Sequence, residues 1–198
     1  DHTGPTNPYG RTKLFIENII RDWSAAGDGR SAALLRYFNP IGADPSGLIG
    51  ENPKGIPNNL MPLILEVAIG KREELSVYGD DYDTPDGTGI RDYIHVDDLA
   101  RGHIAALDFT NGTTGAEVFN LGTGSGVSVL DLISAFERVT GQTIPRRITA
   151  RRPGDVPIYL ADPSRARDVL GWQTVLDVDR MCADSWRFRS GNQTSSED

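Results

Sequence analysis

An α/β fold built around parallel strands is what this sequence predicts, and three observations carry the prediction. Apolar residues recur at helical spacing in several segments, "SAALLRYF" is a near-continuous apolar run of strand length, and the two kinds of segment alternate along the chain. A strand without polar alternation suits burial on both faces, as in sheets covered by helices.

The elements follow in order. Phe15, Ile16, Ile19, Ile20 and Trp23 mark a helix of about four turns, with Pro8 where it begins and Gly27 and Gly29 as its stop. "SAALLRYF" is the buried strand. "NPIGADPSGLIGENPKGIPNN" is too long and too rich in Gly, Pro and Asn for a mere connection, and reads as a binding loop. "LMPLILEVAIGK" is a helix with Pro62 in its first turn and Gly70 past its end, and "LSVYG" a short strand. "DDYDTPDGTGIRDYIHV" is a turn-rich loop leading into a strand, after which Asp97 is placed to cap the helix "DLARGHIAALDF". "EVFNLG" is a strand, and Ser128 with Asp131 forms a capping-box-like start to a helix closed by Gly141. "IPRRITA" is a strand, "ADPSRARDVLG" a helix with Asp162 as N-cap and Pro163 at its first position, and a last helix runs from about Asp177 to Arg189. The polar tail "SGNQTSSED" is expected to be disordered.

Composition narrows the function. A net charge of -8 argues against a nucleic-acid partner, which calls for a basic face. Histidines at 2, 95 and 103 have no metal-ligand spacing, and the lone Cys182 makes no internal disulfide, so the expectation is a cytoplasmic protein without a metal. No apolar run approaches the roughly 20 residues that span a bilayer, so no membrane partner is expected. The chain opens at Asp1 without Met and reaches a helix almost at once, which suggests a piece of a longer polypeptide.

Tyr9 and Lys13 stand at i and i+4 on the first helix, where side chains are about 5 to 6 Å apart. An ammonium that close favours a phenolate, the form a general base needs. By itself Y-x-x-x-K also describes an exposed aromatic beside a solvated lysine. "GTGSG" at 122–126 follows a strand and precedes a helix, yet a dinucleotide fingerprint requires glycine where Val127 stands, so these are structural loop glycines. Arg146, Arg147 and Arg151 read as a solvated face.

A Y-x-x-x-K helix followed by a buried strand and a Gly/Pro/Asn loop resembles the extended short-chain dehydrogenase/reductase superfamily. "NPYGRTKLFIE", "LLRYFNPIGA", "GIPNNLMP", "DGTGIRDYIHVDDLARGH", "FNLGTGSGVSVL" and "RRPGD" together resemble the C-terminal part of the UDP-glucose (UDP-galactose) 4-epimerase family, in order and up to about Trp186. The resemblance implies the C-terminal part of a Rossmann-type NAD domain interleaved with a smaller α/β nucleotide-sugar domain. The first would comprise 1–40 plus about 92–123, the second 41–91 and 124–189, with 190–198 as the tail.

It further implies NAD as a tightly held cofactor and UDP-galactose and UDP-glucose as substrates. Tyr9 becomes the acid/base, Lys13 its electrostatic tuner and a cofactor contact, and Phe38 a border of the nicotinamide. Asn39 becomes a contact on the pyrophosphate side, though Asn before Pro also reads as a turn. Asn59 and Leu60 would meet phosphate at a helix start, where capping by Asn58 or Asn59 is a compatible alternative. Ser76, Val77 and Tyr78 correspond to a strand that reads uracil through its backbone and an aromatic ring. Arg91 and Arg152 suit a diphosphate, Asp155 suits ribose hydroxyls, and Tyr159 corresponds to the position that limits the sugar pocket. The resemblance places the phosphate fingerprint and an assisting Ser or Thr in an N-terminal half outside this sequence, implies a homodimer, and leads us to expect that the chain alone is inactive. Related nucleotide-sugar epimerases, 4,6-dehydratases and a non-catalytic UDP-sugar-binding fragment share these features.

Overall fold

The computed structural model describes residues 4–5 and 7–191. Its helices are α1 (Pro8–Ala25), α2 (Leu60–Ala68), α3 (Val96–Gly112), α4 (Val129–Thr140), α5 (Ser164–Leu170) and α6 (Val178–Gly191). Its strands are β1 (Ser31–Tyr37), β2 (Asn39–Ile41), β3 (Leu75–Tyr78), β4 (Ile90–Arg91), β5 (Tyr93–His95), β6 (Gly115–Leu121), β7 (Val127–Ser128), β8 (Arg146–Thr149) and β9 (Ile158–Tyr159). Parallel pairing dominates: β1 with β6, β2 with β5, β3 with β8 and β4 with β9, while β4 and β7 run antiparallel.

Two apolar cores result. In the first, Ala33 and Leu35 of β1 and Phe119 and Leu121 of β6 pack against α3, α5 and Trp172. Arg36 points to the other face of β1, toward α1. Helix α5 lies with this core, although its place after residue 124 groups it in sequence with the other one. In the second core α2, α4 and α6 enclose β3 and β5 through Ile64, Leu75, Tyr93, Phe136 and Met181. Cys182 is fully buried there, and burial pushes its thiol up to about 12.

The chain passes between the cores at 38–39, 92, 122–124 and 159–161, and Asp92 joins all four passages. Its fully buried carboxylate accepts from Thr123 N at 2.8 Å and Thr123 Oγ1 at 2.7 Å through one oxygen, and from Gly124 N at 2.9 Å and Ala161 N at 3.1 Å through the other. Its backbone carbonyl accepts from Asn39 N at 2.9 Å, and its amide donates to Tyr159 O at 3.2 Å. The loop glycines fit around it, since a Cβ on Gly122 would meet Ala161 Cβ at 2.5 Å and Asp92 Oδ2 at 2.8 Å. A Cβ on Gly126 would meet Ile90 at 2.3 Å.

Several expectations need adjusting. The expected strand through "IRDYIH" is divided into β4 and β5 at Asp92, because that residue's bonds go to passing loops. Asp97 does not cap α3. His95 does, its Nδ1 accepting from Asp97 N at 3.0 Å, which leaves Nε2 to donate to the buried Asp184 at 3.3 Å. Burial holds His95 below the usual histidine range. Helix α5 begins at Ser164 rather than Pro163, with Asp162 Oδ1 still accepting from Ser164 N at 3.0 Å. Strand β1 is not buried on both faces, as Leu34 alone in it falls to 7% exposure. The expected tail overlaps the end of α6 at Ser190 and Gly191, and residues 192–198 lie outside the described residues. No helix among the described residues is long and apolar enough to cross a membrane.

Asp92→Asn would present an amide NH₂ to two of the four donors that the carboxylate satisfies, so a loss of about 2 to 4 kcal/mol is expected. Urea unfolding of the variant beside the parent checks this, and a loss within 0.5 kcal/mol (about the noise of such work) would refute it.

Candidate functional site

Helix α1 presents Tyr9 and Lys13 together. Asn7 starts it, its side chain accepting from Gly10 N at 2.7 Å with Pro8 next in line, so the first turn carries Tyr9. Tyr9 is 71% exposed, and Lys13 Nζ lies 5.1 Å from its ring centroid. One face of the helix therefore offers a phenol and an ammonium side by side.

A second group forms where the cores meet. Phe38, just past β1, stacks on Tyr159 of β9 with ring centroids 5.0 Å apart and planes at 27°. Arg91 is the parallel register partner of Tyr159, and its guanidinium is 3.9 Å from Asp155. Asn39 is held to this junction by its backbone N–H, which donates to the Asp92 carbonyl. The backbone hydrogen bonds of Asp92 bring Asn39 and Tyr159 to Arg91, its neighbour in the chain.

A third group lies on β3. The Arg152 guanidinium sits 3.8 Å over the Tyr78 ring centroid. Hydrogen bonding from Arg152, then its positive charge, holds the Tyr78 phenol below the usual tyrosine range. Val77 is buried in the second core, so only its backbone can serve a ligand, while Ser76 is half-buried. One edge of this strand is taken by β8.

Asn59 and Leu60 stand at the start of α2. Asn59 occupies the N-cap, yet its side chain makes no capping bond, which leaves the first amides of α2 to other partners. Among the described residues no hydrogen bond joins Asn59 to the other candidates. Arg146, Arg147 and Arg151 pair with Glu137, Glu74 and Asp81 on the surface, as a solvated face should. The described residues hold no cluster fit for a metal ion. A hollow lined by Gly42, Met61, Leu65, Ser185 and Phe188 contains no candidate, and it is small and mostly apolar.

Reasoning from the sequence missed two parts of this site. One is Asp92, whose single signal is a carboxylate inside an apolar strand segment. The other is the bond between Glu17 and Arg36, with Nε to Oε1 at 2.6 Å and Nη2 to Oε2 at 2.7 Å, which fixes α1 against β1. Glu17 lies at i+8 from Tyr9, on the same helix face.

The profile of the NAD dependent epimerase/dehydratase family matches residues 1–122. The chain is 58% identical over 189 residues to the UDP-glucose 4-epimerase of Bacillus subtilis, covering 96% of this chain and 56% of that one. It is 57% identical to the human UDP-glucose 4-epimerase, with 96% and 54% covered. The crystal structure of UDP-glucose 4-epimerase from Bifidobacterium longum in complex with NAD+ and UDP superposes with a TM-score of 0.92 at 53% identity, over 98% of this chain and 57% of that chain. The chain thus spans a little over half the length of the relatives it matches.

Removing the guanidinium over Tyr78 should move its titration toward the ordinary tyrosine value of about 10. Alkaline difference absorbance of Arg152→Ala against the parent, with Tyr78→Phe as the control, is expected to show one phenol titrating later. Superimposable curves would refute the contact.

Proposed function

We propose, from the premise that this chain belongs to the NAD dependent epimerase/dehydratase family, that it supplies the proton-transfer helix and sugar-nucleotide face of an enzyme interconverting UDP-galactose and UDP-glucose at C4. The observation that carries this is the pairing of Tyr9 with Lys13 on one exposed helix face. A phenol becomes a base when a cation favours its ionised form, and the hexose 4-hydroxyl is the proton donor this reaction requires. Tyr9 takes that proton and later returns it.

The residues present suit NAD. No carboxylate pairs with Lys13 among the described residues, so its ammonium is available to ribose hydroxyls as well as to Tyr9. Phe38 offers an aromatic face at a C-terminal strand edge, where open α/β sheets place ligands. When bound, NAD supplies the hydride acceptor and donor at C4. The chain's own part is to hold and orient the sugar nucleotide. Asn39, the free amides of α2 with Asn59 and Leu60, Arg91 and Arg152 face the diphosphate, Asp155 the ribose, and Ser76 to Tyr78 the uracil. Tyr159 closes the sugar pocket near C2.

The cofactor domain then comprises 1–40 and about 92–123, and the sugar-nucleotide domain 41–91 and 124–189. A further N-terminal portion completes the cofactor site, in keeping with relatives nearly twice as long. The assembly acts as a cytoplasmic homodimer, and the chain is inactive without that portion. The 71% exposure of Tyr9 supports this, because a base at work needs water excluded from around it.

In the complete enzyme Tyr9→Phe should lower kcat by about 100-fold or more while bound NAD, read by absorbance, is retained. The present chain, assayed beside it, should turn over nothing. Full activity of the variant would overturn the role of Tyr9. Tyr159→Cys should raise kcat/KM for the N-acetylated UDP-hexoses relative to the plain ones by about tenfold, and an unchanged ratio would remove Tyr159 from the pocket.

A further inference from the structure

Glu17 stands one turn beyond Lys13 on α1, as Lys13 stands one turn beyond Tyr9. A carboxylate four residues from a lysine is its ordinary helix partner. Here that carboxylate is engaged elsewhere. Arg36 of β1 grips both oxygens in a fork, at 2.6 Å and 2.7 Å, and Arg21 adds a looser contact to Oε2 at 3.4 Å. The Glu17 side chain is only 13% exposed. The bond from Arg36 holds its carboxyl below the usual carboxylate range against a desolvation that acts the other way. Lys13 lies over the Tyr9 ring instead.

We propose that Arg36 is a positioning residue for proton transfer, which by sequestering Glu17 leaves the Lys13 ammonium to Tyr9. This rests on the reading of Tyr9 as the base. The charged groups concerned come from three elements. Lys13 faces Tyr9 along α1, Arg21 and Arg36 face Glu17 from α1 and β1, and Tyr159 of β9 faces Arg36. Without Arg36, Oε1 of Glu17 loses its partner within one turn of Lys13, and the lysine exchanges a phenol for a carboxylate.

Sequestration and simple anchoring give different results. Both R36M and the double variant E17Q/R36M lose the anchor, whereas R36M alone exposes a competing charge. The test is kcat against pH in the complete enzyme. Arg36→Met should move the midpoint of the rising limb up by roughly one unit. Glu17→Gln should leave the midpoint in place, and the double variant E17Q/R36M should restore it. An unmoved midpoint in R36M, or a shift in E17Q equal to that in R36M, overturns the proposal. If R36M does not fold, E17Q and the double variant still decide, because a shifted midpoint in either refutes sequestration. Activity lost in Tyr9→Phe with R36M unmoved overturns this proposal alone, whereas activity kept in Tyr9→Phe overturns the reading beneath it.

Discussion

The junction between the two cores is held by the buried carboxylate of Asp92. A buried charge is costly unless its lone pairs are filled, and here four donors from two separate loops fill them, while the backbone of the same residue takes up a third segment. Because those segments are the passages between the two cores, one residue fixes how the cores sit against each other. The stack of Phe38 on Tyr159 and the placing of Arg91 beside Asp155 are consequences of that fixing.

Charge is used in opposite ways on the two sides of the junction. At α1 a guanidinium is spent on a carboxylate, and an ammonium is left beside a phenol. On β3 a guanidinium lies directly on a partly exposed phenol ring. Arginine suits both uses because its fork is rigid and its face stacks. Lysine suits the first site for the contrary reason, a compact charge on a flexible stem that reaches a ring one turn away.

The local rules were legible wherever a short stretch decided the outcome. Ser128 caps α4 by accepting from Asp131 N at 2.9 Å, and Gly141 closes it with φ of 70°, both as its spacing implied. Tyr9 and Lys13 meet because helix periodicity guarantees it. What stayed hidden depends on partners far away in sequence. The two-residue strand β9 exists because Arg91 and Tyr159 are register partners, and nothing in "PIYL" reveals that. His95 displaced Asp97 as a cap because burial against Asp184 had already fixed its ring. Strand β2 lay concealed in a stretch that begins Asn-Pro, where turn chemistry masks a short parallel pairing with β5.

The parallel register has a kinetic side. Ser31 pairs with Gly115, Leu75 with Arg146 and Ile90 with Ile158, so each of these ladders closes across a long stretch of chain. Loop closure must be met before such contacts contribute, which makes topologies of this kind slow to form. Asp92 cannot fill its second oxygen until Ala161 has been synthesised. Until then that oxygen has Gly124 N alone to accept from, and since a buried charge is costly with its lone pairs unfilled, the closing of the junction waits on the C-terminal part of the chain.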